Sequence, residues 1–100
     1  MILFIFVQLA LADSLFNNGF YHLARIEYER AIYFYPELGR EWQTRLNLAN
    51  ATIEVDELKG VDAFDKLIND FPEYADEARM NLARHYLKTD RYYIASSILA

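Results

Sequence analysis

Beyond Leu15, apolar positions recur at steps of three and four, with no run of strict alternation. Over residues 20–35, Leu23, Ala24, Tyr28, Ala31, Ile32 and Tyr35 fall on one stripe of a helix. Asn17-Asn18-Gly19 breaks the chain before it. Pro36 stops it, because the residue ahead of a proline is pushed out of the α region. The same spacing predicts a helix over about 40–54 carrying Trp42, Leu46, Leu48, Ala49 and Ile53. A third, over about 58–70, carries Val61, Phe64, Leu67, Ile68 and Phe71 and is stopped by Pro72. Two more are expected over about 75–88 and from about 91 to Ala100. The chain therefore reads as all-α.

The segment Met1–Ala12, MILFIFVQLALA, carries no charge and admits two readings. Eleven apolar residues and one Gln are too short to span a bilayer, which needs about 20 residues. That length suits the apolar core of a secretory signal, and Ala10-Leu11-Ala12 followed by Asp13 has the small-x-small form of a cleavage site. The segment lacks the Lys or Arg that normally precedes such a core. The other reading is a buried first helix, with Leu3, Phe6, Val7, Ala10 and Leu11 on one stripe. On the signal reading, residues 1–12 leave and residues 13–100 form the domain, with no integral membrane span remaining.

The helices repeat. Arg45-Leu46-Asn47-Leu48-Ala49-Asn50 returns 34 residues on as Arg79-Met80-Asn81-Leu82-Ala83-Arg84, and the two stop prolines are 36 apart. Aligned on the prolines, Ala24, Tyr28, Ala31 and Tyr35 match Gly60, Phe64, Leu67 and Phe71 in size class. Leu11, Ala12, Leu15, Gly19, Tyr21, Ala24, Tyr28, Ala31 and Pro36 resemble one unit of the tetratricopeptide repeat (TPR) family. Leu82, Ala83, Tyr86, Asp90, Tyr92, Ala95 and Leu99 resemble another. Between them, Leu48, Ala49 and Leu58 fit, but Thr52 stands where an aromatic or Leu is usual, and the turn is one residue short. The resemblance implies antiparallel helix-turn-helix repeats, about 5–38, 40–73 and 74–100, stacked as a short right-handed superhelical solenoid. Small residues facing each other, Ala12 with Ala24 and Ala83 with Ala95, would let paired helices approach. Stacked neighbours would then bury what one pair cannot. The apolar stretch Tyr92–Ala100 ends before its repeat is complete, so the pattern predicts that the repeat continues downstream.

Composition narrows the function. Net charge is −5 and the Lys and Arg residues are scattered among acids, which speaks against a nucleic-acid partner. No Cys is present, which excludes disulfides, zinc–thiolate sites, thiol catalysis and lipid attachment through Cys. His22 and His85 have no ligand spacing, Ser14, Ser96 and Ser97 sit in no nucleophile motif, and no Gly-rich phosphate loop occurs. Asp56-Glu57 and Asp76-Glu77 fall at helix starts, where acids favour the dipole. We therefore expect no enzyme, cofactor, metal or small-molecule substrate.

The resemblance implies instead a scaffold that holds a partner peptide or helix against the first helices of its repeats. The positions in phase are Gln43, Leu46, Asn50, Ile53 and Glu54, then Glu77, Met80, Arg84, Leu87 and Lys88, with Leu9, Asp13, Phe16 and Asn17 in the first repeat. Leu46, Asn50, Ile53, Met80, Arg84 and Leu87 are the expected contact residues, an apolar strip with an amide and a guanidinium. The run from Leu67 to Ala78 resembles the bacterial envelope subset of the family. With the apolar N-terminus, it points to a periplasmic or secreted protein. The alternative is a structural or regulatory repeat segment of a larger cytosolic protein.

Overall fold

The computed structural model describes residues 2–100, with side chains from Phe4 onward. Six α-helices follow one another: α1 (Ile2–Asn17), α2 (Tyr21–Phe34), α3 (Trp42–Val55), α4 (Glu57–Asp70), α5 (Ala75–Lys88) and α6 (Tyr92–Leu99). Short 3-10 segments, Pro36–Arg40 and Pro72–Tyr74, join α2 to α3 and α4 to α5. No strand occurs among the described residues. Each helix packs against the next in the chain, and α5 also reaches α3. The body is elongated, 45 × 28 × 17 Å.

The turns follow from a few residues. After α1, Gly19 takes φ +83°, the Gly19 amide donates to Phe16 O, and the Phe20 amide reaches back to Leu15 O at 2.9 Å. This is a left-handed closure of the last turn. After α5, Asp90 does the same at φ 62°: its amide donates to Leu87 O, and the Arg91 amide reaches Tyr86 O at 2.9 Å. The two slots are those that the sequence alignment paired. Between α3 and α4 the slot is missing. Asp56 alone links them in an extended conformation and caps α4 by accepting from the Lys59 amide at 3.1 Å. At both prolines the preceding aromatic, Tyr35 or Phe71, leaves the helix with φ near −130°.

Two apolar clusters form the interior. One holds Ala12, Ala24, Tyr28 and Ala51, with Leu9, Leu15, Phe16 and Leu48 packed against it. The other holds Leu46, Ala49, Ile53, Phe64, Leu67, Ala78, Leu82, Ala83, Tyr86 and Ala95. Helix α3 contributes to both, turning Ala51 to one side and Leu46, Ala49 and Ile53 to the other. Trp42 stacks on Tyr74 at 4.7 Å and meets the Phe71 ring edge-on at 5.9 Å, so the start of α3 braces the Pro72 turn. Arg45 adds an ion pair with Asp70 at 2.9 Å and lies over the Phe71 ring.

Two expectations about burial fail. Leu23, on the apolar stripe of α2 with Ala24, Tyr28 and Ala31, is about half exposed while those three are buried. In α1 the stripe proposed as buried is the exposed one: Phe6, Val7, Ala10 and Leu11 all face outward, and Leu3 lies outside the described side chains. The covered line runs through Ile5, Leu9, Ala12, Leu15 and Phe16. An all-apolar segment has no polar face to reveal its orientation, and the small Ala12 decides it by seating against α2.

Gly60 measures the closeness of the central pair. A Cβ there would meet the Ile53 Cα at 2.3 Å and the Ile53 Cβ at 2.4 Å. At Gly19 an added Cβ would meet nothing within 4 Å, leaving only the strain of positive φ. We therefore expect Gly60→Ala to destabilise by about 3 kcal/mol or more, against a helix-propensity gain of about 1 kcal/mol. Gly19→Ala should cost only about 1–2 kcal/mol. Urea unfolding checks the order; a G60A protein as stable as wild type would refute the close approach.

Candidate functional site

A groove crosses the first helices of the three pairs. At one end a cavity of about 230 Å³ is lined by Asp13, Phe16 and Asn17 from α1, Tyr28 from α2, and Asn47 and Asn50 from α3. Phe16 and Asn50 are shared with a second cavity of about 170 Å³, which continues through Ile53, Glu54, Asn81, Arg84, His85 and Lys88. The 34-residue spacing explains the alignment: Asn47 and Asn81 are 34 apart, as are Asn50 and Arg84, and Glu54 and Lys88. Successive helices therefore bring like positions alongside each other.

Hydrogen bonds order the groove wall. The Tyr28 hydroxyl donates to Asp13, and Asn47 Nδ2 points at the same carboxylate from 3.4 Å. Burial first, then the bond to anionic Asp13, pushes the Tyr28 hydroxyl well above the usual tyrosine range, so it stays a donor. Asn47 accepts from Gln43 at 2.9 Å. Asn50 Nδ2 donates to Asn81 Oδ1 at 3.2 Å, while Asn81 donates to the Glu77 carbonyl at 2.9 Å. Each of these amides uses one of its two N–H donors in these bonds, and Asn50 Oδ1 accepts none of them. At the far end Lys88 pairs with Glu54 at 2.5 Å. Arg84 is exposed and makes no ion pair among the described residues.

Behind this end lies a cluster that joins the second and third pairs. Glu57 accepts from Arg91 at 2.7 and 2.5 Å and from the buried ring of His85 at 3.2 Å. His85 Nδ1 lies 3.5 Å from Glu54. The Arg91 bonds above all, then His85, hold the Glu57 carboxyl down at about 2. Arg91 is raised in turn by Glu57. Arg91 also covers the Tyr86 ring at 4.6 Å.

The expected contact residues separate into three groups. Asn50 and Arg84 line the groove together. Ile53 touches the same cavity by its edge but, like Leu46, is buried in the core between α3, α4 and α5, so neither offers a free apolar strip. Met80 and Leu87 are exposed; Met80 lines a separate cavity with Ile98 and Leu99. Helical phase alone cannot separate these positions, because whether the flank of a first helix is covered depends on the next pair. Asn47, Asn81 and His85 were not foreseen. The 34-residue return of Asn47 as Asn81 was the signal for the first two; His85 becomes part of the wall only through its acid partners from α3 and α4.

No group of His, Cys, Asp or Glu able to hold a metal occurs among the described residues. No helix among them is long and apolar enough to cross a membrane. No family model, curated protein or solved structure matches the chain.

The Glu57 cluster carries a pH signature. Its folded-state carboxyl titrates at about 2, below the ordinary value of 4.5. The stability it confers is complete above the ordinary value and disappears as pH falls through the window down to about 2. Thermal melts from pH 6 to about 2 should show this acid loss, and Glu57→Gln should lower the melting point near neutrality while flattening the acid slope. An unchanged slope in E57Q would mean that other carboxylates drive the acid response.

Proposed function

We propose that this chain is a non-catalytic scaffold that holds an extended peptide, or one face of a partner helix, in the groove across α1, α3 and α5. The observation carrying the reading is the groove lining itself. Three successive first helices supply it, and acceptors and a guanidinium remain along it after the internal bonds are counted. Amides present both donors and acceptors to a peptide backbone, and Arg84 suits a carboxylate. Phe16, at the junction of the two cavities, supplies an apolar contact. The fold behind this reading is a TPR-like solenoid with the groove on its concave face. It is supported by the 34-residue return, the matched turns at Gly19 and Asp90, and the small-residue contacts between paired helices.

A second reading makes residues 1–12 an export signal, which would place the remainder in the bacterial envelope. It is favoured by the outward-facing Phe4, Phe6, Val7 and Leu11. Against it, Ala12 is fully buried and Asp13 is bonded by Tyr28, so cleavage between them would cut α1 at its tightest seat on α2. The intact mass of protein made in a bacterial host decides: a chain starting at Asp13 supports export, and one retaining Met1–Ala12 removes its main ground.

Binding is tested by panning a displayed random-peptide library on the immobilised chain and measuring selected peptides by fluorescence anisotropy. Asn50→Ala and Arg84→Ala should each weaken binding by about tenfold. Leu58→Ala, on an 84% exposed side chain of α4, should leave it unchanged. Selected peptides that ignore N50A and R84A would move the function away from the groove.

A further inference from the structure

Three cavities away from the α1 end of the groove each hold one acid, and each acid has a cation beside it. Glu54 in the second groove cavity pairs with Lys88 at 2.5 Å. Glu27, in a hollow between α1 and α2, pairs with Arg30 at 3.0 Å. Asp76, in the cavity beside Met80, pairs with Arg79 at 3.3 Å. Asp13 differs. It lines the first groove cavity, and no Lys, Arg or His lines that cavity with it. Among the described residues it makes no ion pair. Its Oδ1 accepts from the hydroxyl of buried Tyr28 and lies 3.4 Å from Asn47 Nδ2, while its Oδ2 takes no bond from the described residues. The Tyr28 bond holds the carboxylate in place without cancelling its charge. Since Arg84 is unpaired in the second cavity, the groove is anionic at its α1 end and cationic at its α5 end.

We propose that the first cavity seats a cation, the side-chain ammonium or guanidinium of a Lys or Arg in the peptide that the groove holds, with Asp13 as its counter-ion. An uncompensated carboxylate in a partly enclosed cavity attracts a cation and repels an acid more strongly than one in open water. The acceptors present match a group that carries only N–H donors: Asp13 Oδ2 and Asn50 Oδ1 accept nothing from the described residues. The Phe16 ring, in the same lining, adds the attraction of an aromatic face for a cation. A basic residue at Asp13 also sets the direction of the peptide, since its acids are repelled from the α1 end and drawn toward Arg84. This assignment rests on the groove reading above and adds the residue class that one end of the groove selects.

Two displayed peptide libraries, one of all residues and one without Lys and Arg, are panned on the full chain. Binders are expected from the first, with a Lys or Arg at a shared position, and none from the second. In fluorescence anisotropy, replacing that basic residue by Gln should weaken binding to the wild-type chain about tenfold. The same replacement should cost nothing against Asp13→Asn, which still accepts from Tyr28 but carries no charge, and the full tenfold against R84A. D13N should stay helical by circular dichroism; Asp13→Ser takes its place if it does not. A titration without peptide accompanies these. Butylguanidinium should shift the side-chain amide signals of Asn17, Asn47 and Asn50 and saturate in the millimolar range, D13N should abolish the saturation, and neutral butanol should shift nothing. Binders drawn equally from both libraries, or a cost of the Gln replacement that is the same in D13N, overturn the cation seat and leave the groove reading standing. Butylguanidinium shifts as strong in D13N as in wild type overturn the seat as well. If neither library yields a binder, the groove reading fails and the assignment to a peptide side chain with it; D13N-sensitive butylguanidinium shifts would still place a cation at Asp13.

Discussion

Gly60 sets α4 against α3 at a distance that no other residue would permit, since any Cβ would strike the Ile53 backbone. That approach fixes more than one pair. With α4 drawn in on one flank, Ile53 and Leu46 are held where α5 packs on them, and Ala51 is turned toward Tyr28 and the first pair. Among the described residues, helix α3 is the one element shared by both apolar clusters. The interior is therefore a sequence of contacts passed along the chain rather than a single centre, and the middle pair holds the two ends together.

Much of this was legible because small residues and prolines act locally. Tyr35-Pro36 and Phe71-Pro72 mark their turns by sterics alone, and both do so with nearly the same backbone angles. Ala12, Ala24, Ala83 and Ala95 are legible as close contacts because nothing larger would fit, and all are buried. The short second turn was visible as a missing residue, and Asp56 supplies the physical form: a one-residue link with no left-handed position. The orientation of α1 was not legible, because a segment without polar residues carries no hydrophobic contrast. Nor was the core position of Leu46, since the covering helix begins 29 residues later.

The polar residues divide by the same geometry. Those near the turns tie pairs together, as Glu57 does with Arg91 and His85, and Glu54 with Lys88. Those at mid-helix form the groove wall. The acids at Asp56-Glu57 read from sequence as dipole partners, and Asp56 does cap α4. Glu57, its neighbour, reaches across 34 residues of chain to Arg91 instead. One helix start thus serves both local and long-range order. Only the second role ties adjacent pairs, and only the three-dimensional structure exposes it.

Passing contacts from neighbour to neighbour has a kinetic side. No part of the interior must wait for distant segments to meet, so little loop entropy stands in the way of early structure. The α3–α4 pair, flanked on both sides, is the natural nucleus, and the outer pairs can condense on it in either order. The same arrangement means that opening is graded. Amides of α1 and α6 should exchange their hydrogens through fraying of a single pair, and those of α3 only through wider unfolding.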